Sequence, residues 1–195
     1  DTDLIVLPGG FAFGDRIYNK ATEEFKISPG TMALNSPVTL IIKEAVKRQI
    51  PILGICNGFQ ILTQLGLLPG KLVLNDNKKF RCKKTKCLIN YNNQETLTEL
   101  FIANSFGKYI NDNDLDKSYS YFLKYVDENE KNCIAGILDK DKRIIGMMPH
   151  PERNNYDFKS ILLKILFEKE NLNQHMHFDK CIKELMFSEH ISYKT

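Results

Sequence analysis

Apolar positions early in the chain fall into two short runs and two helical patterns. Leu4 to Leu7, closed by Pro8-Gly9-Gly10, and Pro51 to Ile55 are apolar runs of strand length bounded by turn signals, and they predict buried strands. Residues 11 to 35 form a long mixed excursion between them. Ser36-Pro37 then reads as an N-cap followed by proline in the first turn, and Val38, Ile41, Ile42 and Ala45 recur at helical spacing to about Arg48. After Cys56-Asn57-Gly58, helical character returns from Phe59 to Leu65, with Gly66 ending it. Strand, helix, strand, helix implies a parallel sheet.

The pattern then turns strand-like. Residues 71 to 74, 80 to 89, 100 to 103, 119 to 126, 134 to 138 and 144 to 148 are short apolar runs punctuated by Asn, Asp, Lys and Gly, while 90 to 99 and 111 to 118 read as loops. From Phe158 the run Ile161, Leu162, Leu163, Ile165, Leu166, Phe167 predicts a closing helix, and residues 178 to 187 a further one. No repeat or low-complexity tract interrupts the chain. The expected fold class is α/β, with a largely parallel, Rossmann-like sheet flanked by helices.

Composition narrows the function class. A chain of 195 residues, 43% hydrophobic and 26% charged, has the apolar mass of an ordinary globular domain. A net charge of +3 does not call for nucleic acid or a membrane surface. Cys56, Cys82, Cys87, Cys133 and Cys181 form no CxxC pair, which argues against a disulfide scaffold or structural zinc and suggests a cytoplasmic home. No apolar run approaches the roughly 20 residues of a membrane helix, and Asp1-Thr2-Asp3 opens no signal peptide. With no initiator Met, the chain is expected to be a fragment or a processed form.

The chemistry centres on Gly54-Ile55-Cys56-Asn57-Gly58. A cysteine between glycines at a strand-to-helix junction has the pattern of a nucleophile elbow, where flanking side chains would collide in the sharp turn. The N–H groups opening the following helix would stabilise a thiolate. Set against this is an inert buried cysteine beside an ordinary turn, about as frequent for such a pentapeptide taken alone. His150-Pro151-Glu152 shifts that balance: proline keeps His150 out of a helix, and in an extended segment residues two apart project to one side, so Glu152 would orient a His150 base. Pro8-Gly9-Gly10, after the first strand, offers backbone N–H groups that with that of Asn57 would form an oxyanion hole.

These residues together resemble the class I, triad-type glutamine amidotransferases. The stretches carrying the likeness are Leu7 to Asp15, Gly54 to Leu62, Leu65 to Gly70 and Gly146 to Arg153, and within the family they are most similar to the glutaminase subunits of phosphoribosylformylglycinamidine synthase. The likeness runs from about residue 3 to 153. It implies that Cys56 attacks glutamine to give a γ-glutamyl thioester, that His150 is the acid/base and Glu152 its orienting partner, and that Gly10 and Asn57 supply oxyanion N–H groups. Gln60 falls where the family helps hold substrate glutamine. Ammonia would pass to a separate synthetase subunit, accompanied by a small accessory subunit; ATP and Mg would bind that synthetase, and this chain would carry no cofactor and no metal. Residues 1 to 170 are then the amidotransferase domain and 171 to 195 a helical C-terminal extension.

Two departures from the family stand out. A strand and loop that normally come before residue 1 are missing, and the segment from Ala103 to Tyr109 replaces a His-Gly-Glu-Gly pattern used in recognising glutamine, which puts Asn104 and Ser105 at the substrate. Two rival readings remain open: another elbow hydrolase, either a cysteine peptidase or a γ-glutamyl hydrolase, and a non-catalytic subunit that only docks its partner.

Other features are weaker. The basic run Lys78, Lys79, Arg81, Lys83, Lys84, Lys86 reads as the solvated face of a strand in preference to a nucleic-acid contact. His175-x-His177 lacks the further ligands a metal needs, and no GxxxxGK[ST] phosphate loop occurs.

Overall fold

Three of the apolar strands lie side by side and carry the functional region. In the computed structural model, which describes residues 2–10, 29–111, 117–126, 133–139, 141, 143–153 and 156–167, β1 (Ile5–Leu7) pairs in parallel with β2 (Ile52–Ile55), and β2 with β9 (Ile144–Met147). All four residues of β2 and all four of β9 are buried, as expected where a parallel sheet is covered on both faces. The sheet order is β1-β2-β9-β8-β7-β4-β5. Beyond β9 it continues antiparallel through β8 (Ile134–Asp139), β7 (Tyr119–Tyr125), β4 (Arg81–Tyr91) and β5 (Gln94–Asn104). The α/β class holds, with parallel pairing concentrated in the part that carries the elbow.

One helix precedes β2 and another follows it. Helix α2 (Val38–Lys47) turns Thr39, Ile42 and Ala45 inward, a repeat of three that keeps them on one face of an amphipathic helix. Its start falls one residue later than the Ser36-Pro37 signal suggests: the Ser36 carbonyl accepts the Thr39 N–H at 2.9 Å, but no side chain caps the helix. Helix α3 (Asn57–Gln64) follows β2 directly and stops at Gly66, whose φ of +69° suits a glycine. A short α1 (Pro29–Leu34) lies within the segment read as irregular.

The loop expected over 90 to 99 is instead a hairpin. Asn92 and Asn93 take φ of 49° and 61°, the left-handed pair of a tight two-residue turn, and β5 begins at Gln94. A second small sheet pairs β3 (Lys71–Val73) with β6 (Lys108–Ile110), setting Val73 opposite Lys108. That pairing brings the chain after β3 alongside residues 104 to 107. On β4, Lys84 and Lys86 are exposed, and Lys84 Nζ lies 3.5 Å from Glu99 on β5, so these lysines form the expected solvated face.

The chain divides into two compact units, Asp1–His150 and Pro151–Thr195. The second holds α4 (Tyr156–Phe167), the predicted closing helix, with Phe158, Leu162, Leu163, Ile165 and Leu166 buried. The helix expected at 178 to 187, the extension 171 to 195, His175, His177 and Cys181 lie outside the described residues. No described helix is long and apolar enough to cross a membrane.

Candidate active site

Cys56 occupies the turn between β2 and α3 with φ of 51° and ψ of −104°, a conformation L-residues seldom adopt. Holding it costs on the order of 1–3 kcal/mol, which the surroundings must over-determine. They do so from both sides: the Cys56 N–H donates to the Met147 carbonyl at 2.7 Å, and its own carbonyl accepts the Gln60 N–H at 3.1 Å. The glycines flanking it are sterically required. A Cβ on Gly58 would sit 2.1 Å from the Leu7 carbonyl oxygen, and one on Gly54 would sit 2.5 Å from Leu62 Cδ1 and 2.8 Å from the Gly58 backbone. The elbow that the sequence predicts is therefore built.

Gly58→Ala consequently drives a methyl into the backbone of β1. We expect a loss of about 2–4 kcal/mol of stability, whereas Gly66→Ala, which meets only open space at a positive φ, should cost about 1 kcal/mol. Thermal unfolding of the two variants checks the ordering; equal shifts would show that β1 gives way to the added methyl.

Three segments converge on the cysteine. A Cβ on Gly9 would lie 2.5 Å from His150 Cε1, 3.2 Å from His150 Nδ1 and 3.3 Å from Cys56 Cβ, so the loop after β1, the elbow and the imidazole meet at one point, where only glycine fits. His150 is buried, with 4% of its surface exposed, and its N–H donates to the Phe101 carbonyl at 2.8 Å in an isolated bridge to β5. The Cys56 thiol, also 4% exposed, lies 3.7 Å from the Ala103 carbonyl. Cysteine and histidine, 94 residues apart by number, thus share a buried site at the ends of β2 and β9.

Gly10 has φ of +134° and open space around it, and Asn57 is the first residue of α3, where a backbone N–H has no intrahelical acceptor. Glu152 is half-buried and belongs to the second unit. Residues 151 to 153 form a turn, not the extended segment that the spacing suggests.

Gln60 and the 104–107 segment are joined by a hydrogen bond. Gln60 is fully buried; its Oε1 accepts from Asn57 Nδ2 at 2.9 Å and its Nε2 donates to the Phe106 carbonyl at 3.0 Å. It therefore ties the elbow helix to the segment that borders the site. Asn104 is also fully buried, and its carbonyl accepts from Asn75 Nδ2 at 3.0 Å. The Ser105 carbonyl accepts the Asn75 N–H at 2.8 Å, and the Gly107 N–H donates to Asn75 Oδ1 at 3.1 Å. Asn75, 2% exposed, is thus the hub of this segment, and it escaped the sequence reading. Its partners in this segment lie 29 to 32 residues away in the chain, so no local pattern reveals them.

Comparison with known proteins adds the family. Residues 1–178 match the CobB/CobQ-like glutamine amidotransferase domain. The PurQ subunit of phosphoribosylformylglycinamidine synthase from Thermotoga maritima is 37% identical over 162 residues, spanning 78% of this chain and 70% of the relative. The chain belongs to the CobB/CobQ-like glutamine amidotransferases, alongside the PurQ subunits. The PurQ subunit of Staphylococcus saprophyticus is 36% identical over 165 residues, covering 77% of this chain and 70% of its own. Among solved structures, the PurLQS structure from T. maritima aligns with a TM-score of 0.65 and 32% identity over 86% of this chain and 80% of the matched one. A second glutamine amidotransferase from T. maritima shares the fold, with a TM-score of 0.53 at 18% identity over 94% of this chain and 68% of that one. In this amidotransferase the elbow cysteine lies beside a buried histidine.

Proposed function

We propose that this chain is the glutaminase subunit of a phosphoribosylformylglycinamidine synthase in purine biosynthesis, with Cys56 as nucleophile, His150 as acid/base and Glu152 as its orienting partner. The observation that carries the reading is the convergence at Gly9 of Cys56 and His150 within a few ångströms. The names of the PurQ relatives and the PurLQS neighbour support the assignment to this synthase.

The chemistry follows from the placement. His150 takes the Cys56 proton, and the thiolate adds to the side-chain amide carbon of L-glutamine. The negative charge passes to the amide oxygen, where the N–H groups of Gly10 and Asn57 receive it. Collapse breaks the C–N bond as His150 returns its proton to the leaving nitrogen, releasing ammonia and leaving a γ-glutamyl thioester. Water, deprotonated by His150, then hydrolyses the thioester to glutamate and restores the thiol. The chain supplies no phosphate-binding loop, so ATP and Mg belong with the synthetase partner PurL, and the small accessory subunit PurS completes the assembly.

Ammonia made without an acceptor is lost, so hydrolysis should be coupled to the loaded partner. Coupling requires the partner to favour one state of the glutaminase, and the segment held by Asn75 and Gln60 is the element placed to be reset. We expect the isolated chain to turn over glutamine slowly and the nucleotide-loaded synthetase to raise the rate at saturating glutamine. An isolated chain already working near a typical kcat of about 10 per second, with no gain on adding the partner, would mark a free-standing hydrolase instead.

A further inference from the structure

The end of β5 borders both the nucleophile and the base. Its Phe101 carbonyl accepts the His150 N–H at 2.8 Å, and its Ala103 carbonyl lies 3.7 Å from Cys56 Sγ, so this stretch forms a wall beside the thiol. The chain then turns tightly into β6, and a Cβ on Gly107 would sit 2.1 Å from Asn104 Oδ1. Asn75 holds that turn at three places. Its N–H donates to the Ser105 carbonyl at 2.8 Å, its Nδ2 donates to the Asn104 carbonyl at 3.0 Å, and its Oδ1 accepts the Gly107 N–H at 3.1 Å. An asparagine amide carries the donor and acceptor of a peptide group, so one side chain binds a carbonyl and an N–H of the turn at once. Asn75 is itself fixed: its carbonyl accepts the Lys78 N–H at 2.8 Å, its Nδ2 also donates to the Lys79 carbonyl at 3.2 Å, and Arg81 Nη2 donates to its Oδ1 at 2.9 Å.

We propose that Asn75 is a positioning residue for glutamine hydrolysis, setting through the 104–107 turn the distance of the β5 wall from Cys56 and so the fit of the glutamine side chain beside the thiol. The proposal rests on the glutaminase reading above. The Asn104 carbonyl that Asn75 holds is one residue beyond the Ala103 carbonyl that faces the thiol, so a displaced turn carries the wall with it. A misplacement of about 1 Å near a reacting centre can cost on the order of a hundredfold.

The test measures glutamine hydrolysis by the full chain assembled with its synthetase, with ammonia-dependent synthesis as the control for assembly. Asn75→Ala should raise the glutamine KM at least fivefold and lower kcat/KM at least tenfold, because a loosened wall fits the substrate poorly. Asn75→Asp keeps an oxygen for the Gly107 N–H but loses the donor to the Asn104 carbonyl, and should lower kcat/KM by less, though at least threefold. Asn77→Asp puts the same charge two residues away and retains the oxygen that accepts the Lys79 N–H at 3.0 Å; it should stay within twofold of the unaltered chain. A lower kcat at unchanged KM in Asn75→Ala would report a smaller folded fraction and overturn the proposal, as would unchanged kcat/KM in both Asn75 variants or equal losses in Asn75→Asp and Asn77→Asp. Where Asn75→Ala fails to assemble, the two aspartate variants decide between them. An unaltered chain that hydrolyses no glutamine in the complex defeats the glutaminase reading and this proposal together, whereas an active chain indifferent to Asn75 defeats the proposal alone.

Discussion

Cys56→Ala is expected to remove glutamine-dependent synthesis by the assembled synthase, by on the order of 10⁴-fold or more, and to leave synthesis from added ammonium salt near its unaltered rate. The two outcomes separate because the thiol has one task, making ammonia, and the synthetase accepts ammonia whatever its source. Alanine also tests the strain argument. Alanine meets the same φ of 51° with a smaller side chain, and the anchoring bonds to Met147 and Gln60 are made by backbone atoms. Loss of the thiol should therefore leave the turn in place, and thermal unfolding should change little. Parallel measurement of both nitrogen sources in the reconstituted complex decides the matter. If both activities vanish together, Cys56 serves folding or assembly and the nucleophile must be sought elsewhere.

The elbow was legible in the sequence because its constraints are local. Glycines at 54 and 58 announce a turn too tight for side chains, and the contacts a Cβ would make with Leu62 and Leu7 are the physical content of that signal. Gly146 is similar: a Cβ there would sit 2.1 Å from Phe59 Cδ2, so the motif around Met147 and Met148 records the packing of α3 on β9. The apolar strands β1, β2, β8 and β9 were equally readable, the last three being buried along most of their length. The first half of β5 was not. Gln94 to Thr98 is polar and mostly exposed at the end of the sheet order, and hairpin pairing to β4, not hydrophobic burial, makes it a strand. Likewise β6 is only Lys-Tyr-Ile, defined by its partner β3.

What the sequence concealed in the site was support rather than chemistry. Gln60, whose motif position resembles one that holds substrate, has its amide engaged by Asn57 and Phe106. Asn104 is buried against Asn75, and Ser105 offers Asn75 a carbonyl. The substituted segment thus keeps its backbone course through bonds that depend on Asn75 and not on a His-Gly-Glu-Gly sequence. Such bonds depend on tertiary neighbours, and a single sequence carries no trace of them until the fold brings β3 and β6 together.

His150→Ala and Glu152→Gln should separate the base from its orienter. Removing His150 leaves the thiol without a group to accept its proton and the departing nitrogen without a donor, so kcat should fall on the order of 10⁵–10⁶-fold, comparable to the loss of the nucleophile itself. Glu152→Gln retains the imidazole, and His150 is independently held by its N–H bond to the Phe101 carbonyl and by burial beside Gly9. That variant loses only the charge that favours the imidazolium and the preferred tautomer, a loss on the order of a hundredfold smaller than that of the base. Glutamine KM should change little in either, because neither side chain is needed to bind the ground state. Steady-state hydrolysis in the synthetase complex, with ammonia-dependent synthesis as the control for assembly, measures both. Equal and negligible effects would remove His150 and Glu152 from the mechanism, while a Glu152→Gln loss as deep as that of His150→Ala would mean that the carboxylate, and not the backbone bond to Phe101, sets the imidazole in place.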